Sequence, residues 1–176
     1  MLIPYFIDLE ASGFGRGSYP IEVAVVDDQG DVFCQLIKPL PHWLHWDDSA
    51  QALHGISRTT LQQQGVDVET IALAMNQRFA KQVLYTDAWG MDNSWLGLLF
   101  DEAGYVPRFR LETVRKLLTE EQAARWFDCK QQIIAEHESV RHRATDDAKI
   151  LQLTYAAVVH QEPAPKPEDY AKTSAL

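Results

Sequence analysis

An apolar run near the start of the chain predicts a buried β-strand that carries two acidic residues. Positions 2, 3, 5, 6 and 7 are apolar, and Asp8 and Glu10 follow them. Residues two apart on an extended strand point to the same face, so the two carboxylates should lie side by side. Adjacent like charges in a half-buried place repel each other and lose hydration. The pattern therefore predicts a bound cation, and a divalent metal ion is the first candidate.

The rest of the pattern predicts an α/β domain with a mixed sheet of about five strands, the first three antiparallel, flanked by helices. Apolar runs bounded by turn residues predict strands at 3–9, 21–26, 32–38, 82–88 and 109–111. Helical spacing predicts helices at 49–56, 57–65, 67–81, 92–104, 119–137 and 144–159. The short turn at 28–30 joins two strands as a hairpin, and the later strands are joined through helices.

Length and composition predict one domain, at residues 1–160, in a chain of 176 residues. Residues 161–176 are rich in proline and polar side chains, and we expect them to form a flexible tail. No apolar run reaches the roughly 20 residues that span a bilayer, and the first residues lack the basic region of a signal peptide. The two cysteines have no metal-site spacing. These features predict a cytoplasmic protein without a membrane partner.

The net charge of −9 excludes a broad basic surface for long nucleic acid. Phosphate groups would have to be bound locally, through metal ions and a few basic side chains. Two more acidic positions suit such a site. Asp92 lies at the start of a predicted helix directly after a strand, and Asp147 follows His142 by five residues at the start of the last helix.

These motifs resemble those of the DEDDh 3′–5′ exonucleases, which have a ribonuclease-H-like fold and include oligoribonuclease, ribonuclease T and proofreading domains. The family's first motif, D-x-E followed by a small residue and glycine, is similar to "DLEASGF". Its last motif, H-x-A-x-x-D-A, is similar to "HRATDDA", and "HGIS" resembles a further family element. The resemblance covers residues 3–158 and depends on the order and placement of the motifs together.

The resemblance implies a hydrolase that removes nucleoside 5′-monophosphates from 3′ ends by two-metal catalysis. Asp8, Glu10, Asp92 and Asp147 would hold two Mg²⁺ or Mn²⁺ ions, with Asp8 bridging both. Carboxylates are the ligands that these hard cations prefer. His142 would be the general base, because histidine titrates near neutral pH.

The second motif departs from the family pattern. Many members have His-Asn shortly before the aspartate, whereas this chain has "TDAWGMD". Asp92 is our choice because it lies at the predicted helix start, where the family places its aspartate. Asp87 is the alternative.

The resemblance also implies a pocket for the terminal nucleotide. The backbone near Ala11 and Ser12 would meet the 3′-OH, and Phe14 takes the place of a residue that wedges between bases. His54 and Ile56 would pack against the terminal sugar and base. The expected partners are single-stranded RNA or DNA 3′ ends or short oligonucleotides. RNA is slightly preferred because the chain is small and acidic, and homodimers occur in the family.

Other interpretations fit parts of the pattern. The same fold could hydrolyse dinucleotides or other small phosphodiesters, or serve as a non-catalytic module that binds nucleic acid. Asp8 and Glu10 could pair with a basic residue such as Arg16, and His142 could be an ordinary surface residue. Glu22 is better interpreted as a structural hydrogen-bonding group than as a metal ligand.

Overall fold

The acidic strand β1 (Tyr5–Ala11) lies in the middle of a five-stranded sheet. The computed structural model describes residues 3–136 and 142–160. The other strands are β2 (Pro20–Val26), β3 (Val32–Leu36), β4 (Val83–Thr86) and β5 (Arg110–Thr113), in the spatial order β3-β2-β1-β4-β5. The first three strands are antiparallel, and β4 and β5 run parallel to β1. The mixed sheet predicted from the sequence is therefore confirmed.

The helices lie on both faces of this sheet. They are α1 (Asp48–His54), α2 (Arg58–Gln64), α3 (Val68–Arg78), α4 (Trp89–Ala103), α5 (Glu120–Glu136) and α6 (Ala144–His160), with a 3₁₀ turn at Val114–Leu117. The larger core packs Ile7 and Leu9 against α3 and α4. A smaller core packs Phe6 of β1 against Leu151 and Tyr155 of α6 on the opposite face. Side chains that alternate between the two faces of β1 therefore contribute to both cores.

The predicted helix ends are mostly confirmed, because capping residues mark them in the sequence. Ser57 caps α2 through its hydroxyl, and Thr119 and Gln122 form a capping box at the start of α5. The prediction that α4 starts at Asp92 is wrong. The helix begins at Trp89, so Asp92 lies within its first turn.

The described helices include none with the length and apolar character to cross a membrane. The tail predicted at 161–176 lies outside the described residues.

Candidate active site

The acidic face of β1 is the starting point of the candidate site. Asp8 and Glu10 share one face of the strand with Phe6, which packs against α6. Their neighbours Ile7 and Leu9 point into the core on the other face. The alternation that buries these apolar residues therefore also places the two carboxylates together beneath α6.

Helix α6 brings a third carboxylate to this face. Ligand oxygens of Asp8, Glu10 and Asp147 all lie within 4.8 Å of one another. His142 precedes the helix, and its backbone N–H donates to Asp147 Oδ2 at 2.9 Å. This bond gives the Asp147 carboxylate an orientation that is set by the polypeptide chain itself.

His142 has a φ of +67°, a left-handed conformation that is uncommon for a residue with a side chain. Such a conformation is retained where surrounding contacts impose it, and it is frequent at functional sites. Here the bond to Asp147 accompanies it, and the His142 side chain lines the same cavity as the three carboxylates.

Asp92 approaches the site from α4, which follows the carboxyl end of β4. Its Oδ2 accepts a bond from the Thr86 hydroxyl, and that same hydroxyl oxygen accepts the Ala88 N–H at 3.0 Å. The Leu9 N–H also bonds to the Asp92 carboxylate. β1 and β4 are parallel neighbours, so their carboxyl ends meet at one edge of the sheet. Asp92 is outside the group defined by the 4.8 Å distances, although it lines the same cavity.

The alternative residue, Asp87, also lines the cavity but has a different environment. Its Oδ2 lies 2.7 Å from Lys130 Nζ and accepts the indole N–H of Trp126 at 3.3 Å. Asp87 is thus neutralised by a cation from the chain, whereas the charge of Asp92 acts directly on Asp8. The choice of Asp92 over Asp87 as the fourth acidic group stays a prediction, and the pairing of Asp87 with Lys130 is consistent with it.

These groups surround a cavity of about 270 Å³ whose lining has an acidic part and an apolar part. Ala11, Phe14, Leu53, His54 and Trp95 line its apolar part. Phe14 is 68% exposed, and its ring centroid lies 6.4 Å from that of Trp95. A cavity wall of this kind offers apolar ring faces close to carboxylates.

A glycine places Phe14 at the cavity. Gly13 has a φ of +143°, and a Cβ there would lie 2.6 Å from Asp47 Cβ and 2.8 Å from His45 Cε1. Any side chain would thus displace the segment before α1. Only glycine allows the chain leaving β1 to turn this closely against that segment.

His54 lines the cavity and carries a buried ring nitrogen, Nε2, that has no partner among the described residues. The ring is 5% exposed, and its Nδ1 accepts the Ile56 N–H at 3.1 Å. Burial lowers the pKa of His54 and so favours the neutral ring. Because Nδ1 accepts the Ile56 N–H, the proton of the neutral ring is on Nε2. Among the described residues, Nε2 has no hydrogen-bond partner. A buried N–H without a partner is costly, which suggests a ligand acceptor at this position.

Two residues predicted for substrate binding do not line the cavity. Ser12 is buried, its N–H donates to the Tyr19 carbonyl, and its hydroxyl is bonded to His45 Nδ1. Ile56 is buried in the larger core. Of the five predicted residues, Ala11, Phe14 and His54 come together at the cavity, and their roles there remain predictions.

The carboxylates raise one another's pKa. Burial raises the pKa of Asp8 well above its usual range, and the charges of Asp92, Asp147 and Glu10 add to this effect. Burial and the charge of Asp147 raise the pKa of Glu10 to about 8. Burial also raises the pKa of Asp92 to about 7, against the lowering effect of its bond from Thr86. The described residues thus concentrate more negative charge here than they neutralise.

A buried ion pair anchors the start of α6 to the sheet. Glu22 is 1% exposed and lies directly across from Glu10 in the β1–β2 ladder. Its carboxylate accepts bonds from Arg143 Nε at 3.1 Å, Arg143 Nη2 at 2.5 Å and the Ala144 N–H at 2.9 Å. The structure is consistent with Glu22 as a structural group. It also fixes the backbone between His142 and Asp147, because Arg143 and Ala144 belong to that segment.

Sequence reasoning missed three residues that shape the site: Thr86, Lys130 and Arg143. Lys130 lies on α5, far from the motifs in sequence, and no local pattern indicated that it lines the cavity. Arg143 lies inside the His142 motif but pairs with a residue 121 positions away. For Thr86 a signal existed, because a hydroxyl at a strand end before a helix often bonds to backbone amides.

The donor set fits divalent metal ions. Hard cations take oxygen ligands, and Asp8, Glu10 and Asp147 offer carboxylate oxygens at mutual distances that one ion can bridge. Burial first, and the neighbouring carboxylates second, raise the pKa of Asp8 and of Glu10, and a bound cation would oppose both effects. Asp92 stands beside this group and could join the ligand set from α4.

These pKa values predict how the stability of the metal-free protein depends on pH. The folded state keeps protons on Glu10 and Asp92 up to pKa values of about 8 and about 7, whereas unfolded carboxyls lose them near pH 4. The folded state therefore binds more protons between about pH 4 and pH 8, so this contribution to stability is lost as the pH rises through that range. Urea unfolding in chelator at pH 5 to 8.5 measures the slope.

Glu10→Gln should flatten that slope, because glutamine does not titrate. Glu121→Gln, at an exposed position in the first turn of α5, is the matched control and should keep the wild-type slope. Equal slopes for wild type and Glu10→Gln would show that Glu10 titrates normally in the folded protein.

Solved structures with the same fold come from exonuclease I of E. coli. Its complex with a dA16 oligonucleotide superposes with a TM-score of 0.70 at 16% identity and covers 96% of this chain. A zinc-bound form of its complex with single-stranded DNA gives a TM-score of 0.67, also at 16% identity and with 96% of this chain covered. The fold is the one found in exonuclease I. The ribonuclease-H-like class expected from the sequence is confirmed.

The likeness extends to less than half of the other protein. This chain covers 42% of the length of exonuclease I in both complexes. At such low identity the superposition shows the fold alone. No protein-family model and no curated protein sequence matches the chain.

Proposed function

We propose that this protein is a metal-dependent 3′–5′ exonuclease that acts on single-stranded nucleic acid and releases nucleoside 5′-monophosphates. The observation that carries the proposal is the convergence of Asp8, Glu10, Asp92, Asp147 and His142 on one cavity. These residues come from β1, α4 and the start of α6, and their order matches the family that the sequence resembles. The same fold in exonuclease I, solved with single-stranded DNA oligonucleotides, supports the proposal.

In this proposal the four carboxylates hold two ions, either Mg²⁺ or Mn²⁺. Bound ions would activate the attacking water and neutralise the charge that develops on the leaving oxygen. The residues of the chain would then transfer the protons of the reaction. His142 accepts a proton from the water as its oxygen bonds to phosphorus. The bond from phosphorus to the 3′-oxygen of the preceding nucleotide breaks, and that oxygen gains a proton.

The apolar end of the cavity holds the terminal nucleotide. The ring faces of Phe14 and Trp95 suit stacking against a base, which is a sequence-tolerant way to bind a single strand. The Nε2 proton of His54 is a donor for an oxygen of the terminal sugar or phosphate. We propose short single strands as the substrates to test, with RNA oligonucleotides first and DNA of the same sequence beside them.

A time course with end-labelled RNA and DNA, with and without chelator, tests this function. We expect 3′-labelled strands to release labelled mononucleotide at once, and 5′-labelled strands to shorten stepwise from the other end. Chelator should stop both, and added Mn²⁺ or Mg²⁺ should restore them. Asp8→Asn, purified identically, controls for a contaminating nuclease. Internal fragments at early times, or activity that survives chelator, would overturn the proposal.

A further inference from the structure

A lysine stands at the wall of the acidic cavity. Among the described residues that line this cavity, Lys130 is the only lysine or arginine, and five carboxylates line it with Lys130. The Lys130 side chain is 21% exposed, and its Nζ is 2.7 Å from Asp87 Oδ2. A cation so placed can meet the phosphate of a strand that leaves the cavity on this side.

The same Asp87 oxygen joins Lys130 to an aromatic residue. Trp126 lies one turn before Lys130 on α5, and its indole N–H donates to Asp87 Oδ2 at 3.3 Å. Asp87 follows β4 directly, so the sheet sets its position. One carboxylate thereby orients a cation and an indole ring next to each other.

A second cavity, of about 180 Å³, begins at Asp87 and continues along α5. Its floor is aliphatic, with Val114 and Leu118, and Trp126 and Phe127 provide ring surfaces. Phe127 is 67% exposed, and Arg115 adds a positive charge to the wall. Aromatic faces beside cations are what single-stranded nucleic acid requires of a binding site.

We propose that this second cavity binds the base of a nucleotide upstream of the bond that is cleaved, and that Lys130 and Arg115 lie along its phosphates. The inference rests on the proposed function. A terminal nucleotide stacked on the exposed ring of Phe14 would place the upstream strand beyond the carboxylates. Asp87 lines both cavities, so the second cavity adjoins the acidic one at the end of β4.

The site also explains how an acidic protein can bind a polyanion. The chain carries a net charge of −9, so a strand must follow a local path of positive charge. Lys130 and Arg115 mark such a path from the acidic cavity to the second one. The bases of a single strand would contact the aromatic rings of the second cavity, and its phosphates would contact Lys130 and Arg115.

Two substrates of different length test the proposal. The p-nitrophenyl ester of thymidine 5′-monophosphate offers one nucleotide, with nitrophenolate as the leaving group in place of the upstream strand. A 12-nucleotide single strand also carries upstream bases and phosphates that reach the second cavity. The measured quantity is the KM of the 12-mer divided by the KM of the ester. Loss of a stacking side chain weakens binding by about 5- to 100-fold, so Phe127→Ala should raise this ratio by that factor.

Arg115→Gln should also raise the ratio, and it should reduce the salt dependence of 12-mer binding. The slope of log affinity against log salt should fall by about 0.7, the value for one phosphate contact on a single strand. Val106→Ala is the control for the loss of an exposed apolar side chain in Phe127→Ala, because Val106 is 80% exposed and lines a different cavity. It should change neither the ratio nor the slope.

The outcomes separate this inference from the proposed function. If Phe127→Ala leaves the ratio unchanged, or raises both KM values equally, the upstream site is refuted. A change in oligomeric state with an unchanged ratio would show instead that Phe127 belongs to a protein interface. If wild type hydrolyses neither substrate, the proposed function fails. Anisotropy of a labelled 12-mer with Ca²⁺ then decides the inference, because Phe127→Ala must still weaken binding about 5- to 100-fold.

Discussion

Asp8→Asn should abolish turnover without destabilising the metal-free protein. Asp8 lies at the centre of the acidic group, and the charges of Asp92, Asp147 and Glu10 all act on it. Asparagine cannot supply the negative charge that holds an ion between these residues. Loss of several kcal/mol of transition-state stabilisation corresponds to a decrease in kcat of about 10³-fold or more. The measurement is the initial rate on a labelled oligonucleotide at saturating Mn²⁺.

The free energy of unfolding in chelator should stay the same or rise, because the substitution removes charge repulsion at a partly buried position. Asp101→Asn makes the same chemical change on an exposed turn of α4 and serves as the control for activity and stability. A loss of several kcal/mol in Asp8→Asn would mean that the carboxylate has a structural partner. The electrostatic account of the site would then be incorrect.

His142→Ala should lower kcat by about 10²- to 10⁴-fold, the usual contribution of a general base. Metal binding should change little, because His142 contacts Asp147 through its backbone N–H, which alanine retains. Single-turnover rates give the first quantity, and calorimetric titration with Mn²⁺ gives the second.

The control for this change is His160→Ala, at the far end of α6 and exposed. The pH profile provides a second criterion. If His142 takes the proton, the pH dependence of kcat in His142→Ala should differ in shape from that of the wild type. An unchanged rate would remove His142 from the mechanism, whereas a rate lost together with Mn²⁺ binding would assign it a role in holding the metal.

The fold could be predicted from the sequence because its signals are local. Strand β1 alternates between two buried faces, and the same alternation predicts that Asp8 and Glu10 lie side by side. The caps of α2 and α5 mark the helix ends through side chains three residues apart. The sequence predicts that α4 starts at Asp92, whereas the helix starts at Trp89. The Thr86 side chain bonds to the Ala88 N–H just before the helix and to the Asp92 carboxylate within its first turn, and no local pattern shows both bonds.

The surroundings of the candidate site could not be predicted, because they depend on pairs that are distant along the chain. Lys130 meets Asp87 across 43 positions, and Arg143 meets Glu22 across 121. Nothing in the neighbouring residues of either partner indicates the other. The sequence suggested that Glu22 makes structural hydrogen bonds, but its partner became visible only when α6 was placed on the sheet.

Glu10 and Glu22 face each other across one rung of the sheet and obtain their positive charge in different ways. Glu22 is neutralised by an arginine that the gene encodes, so its partner is present as soon as the chain folds. In the proposed function, Glu10 would obtain its partner from the surrounding solution as a bound ion. Ion loading would then be a step separate from folding, and occupancy of the carboxylates would follow the ion concentration of the medium.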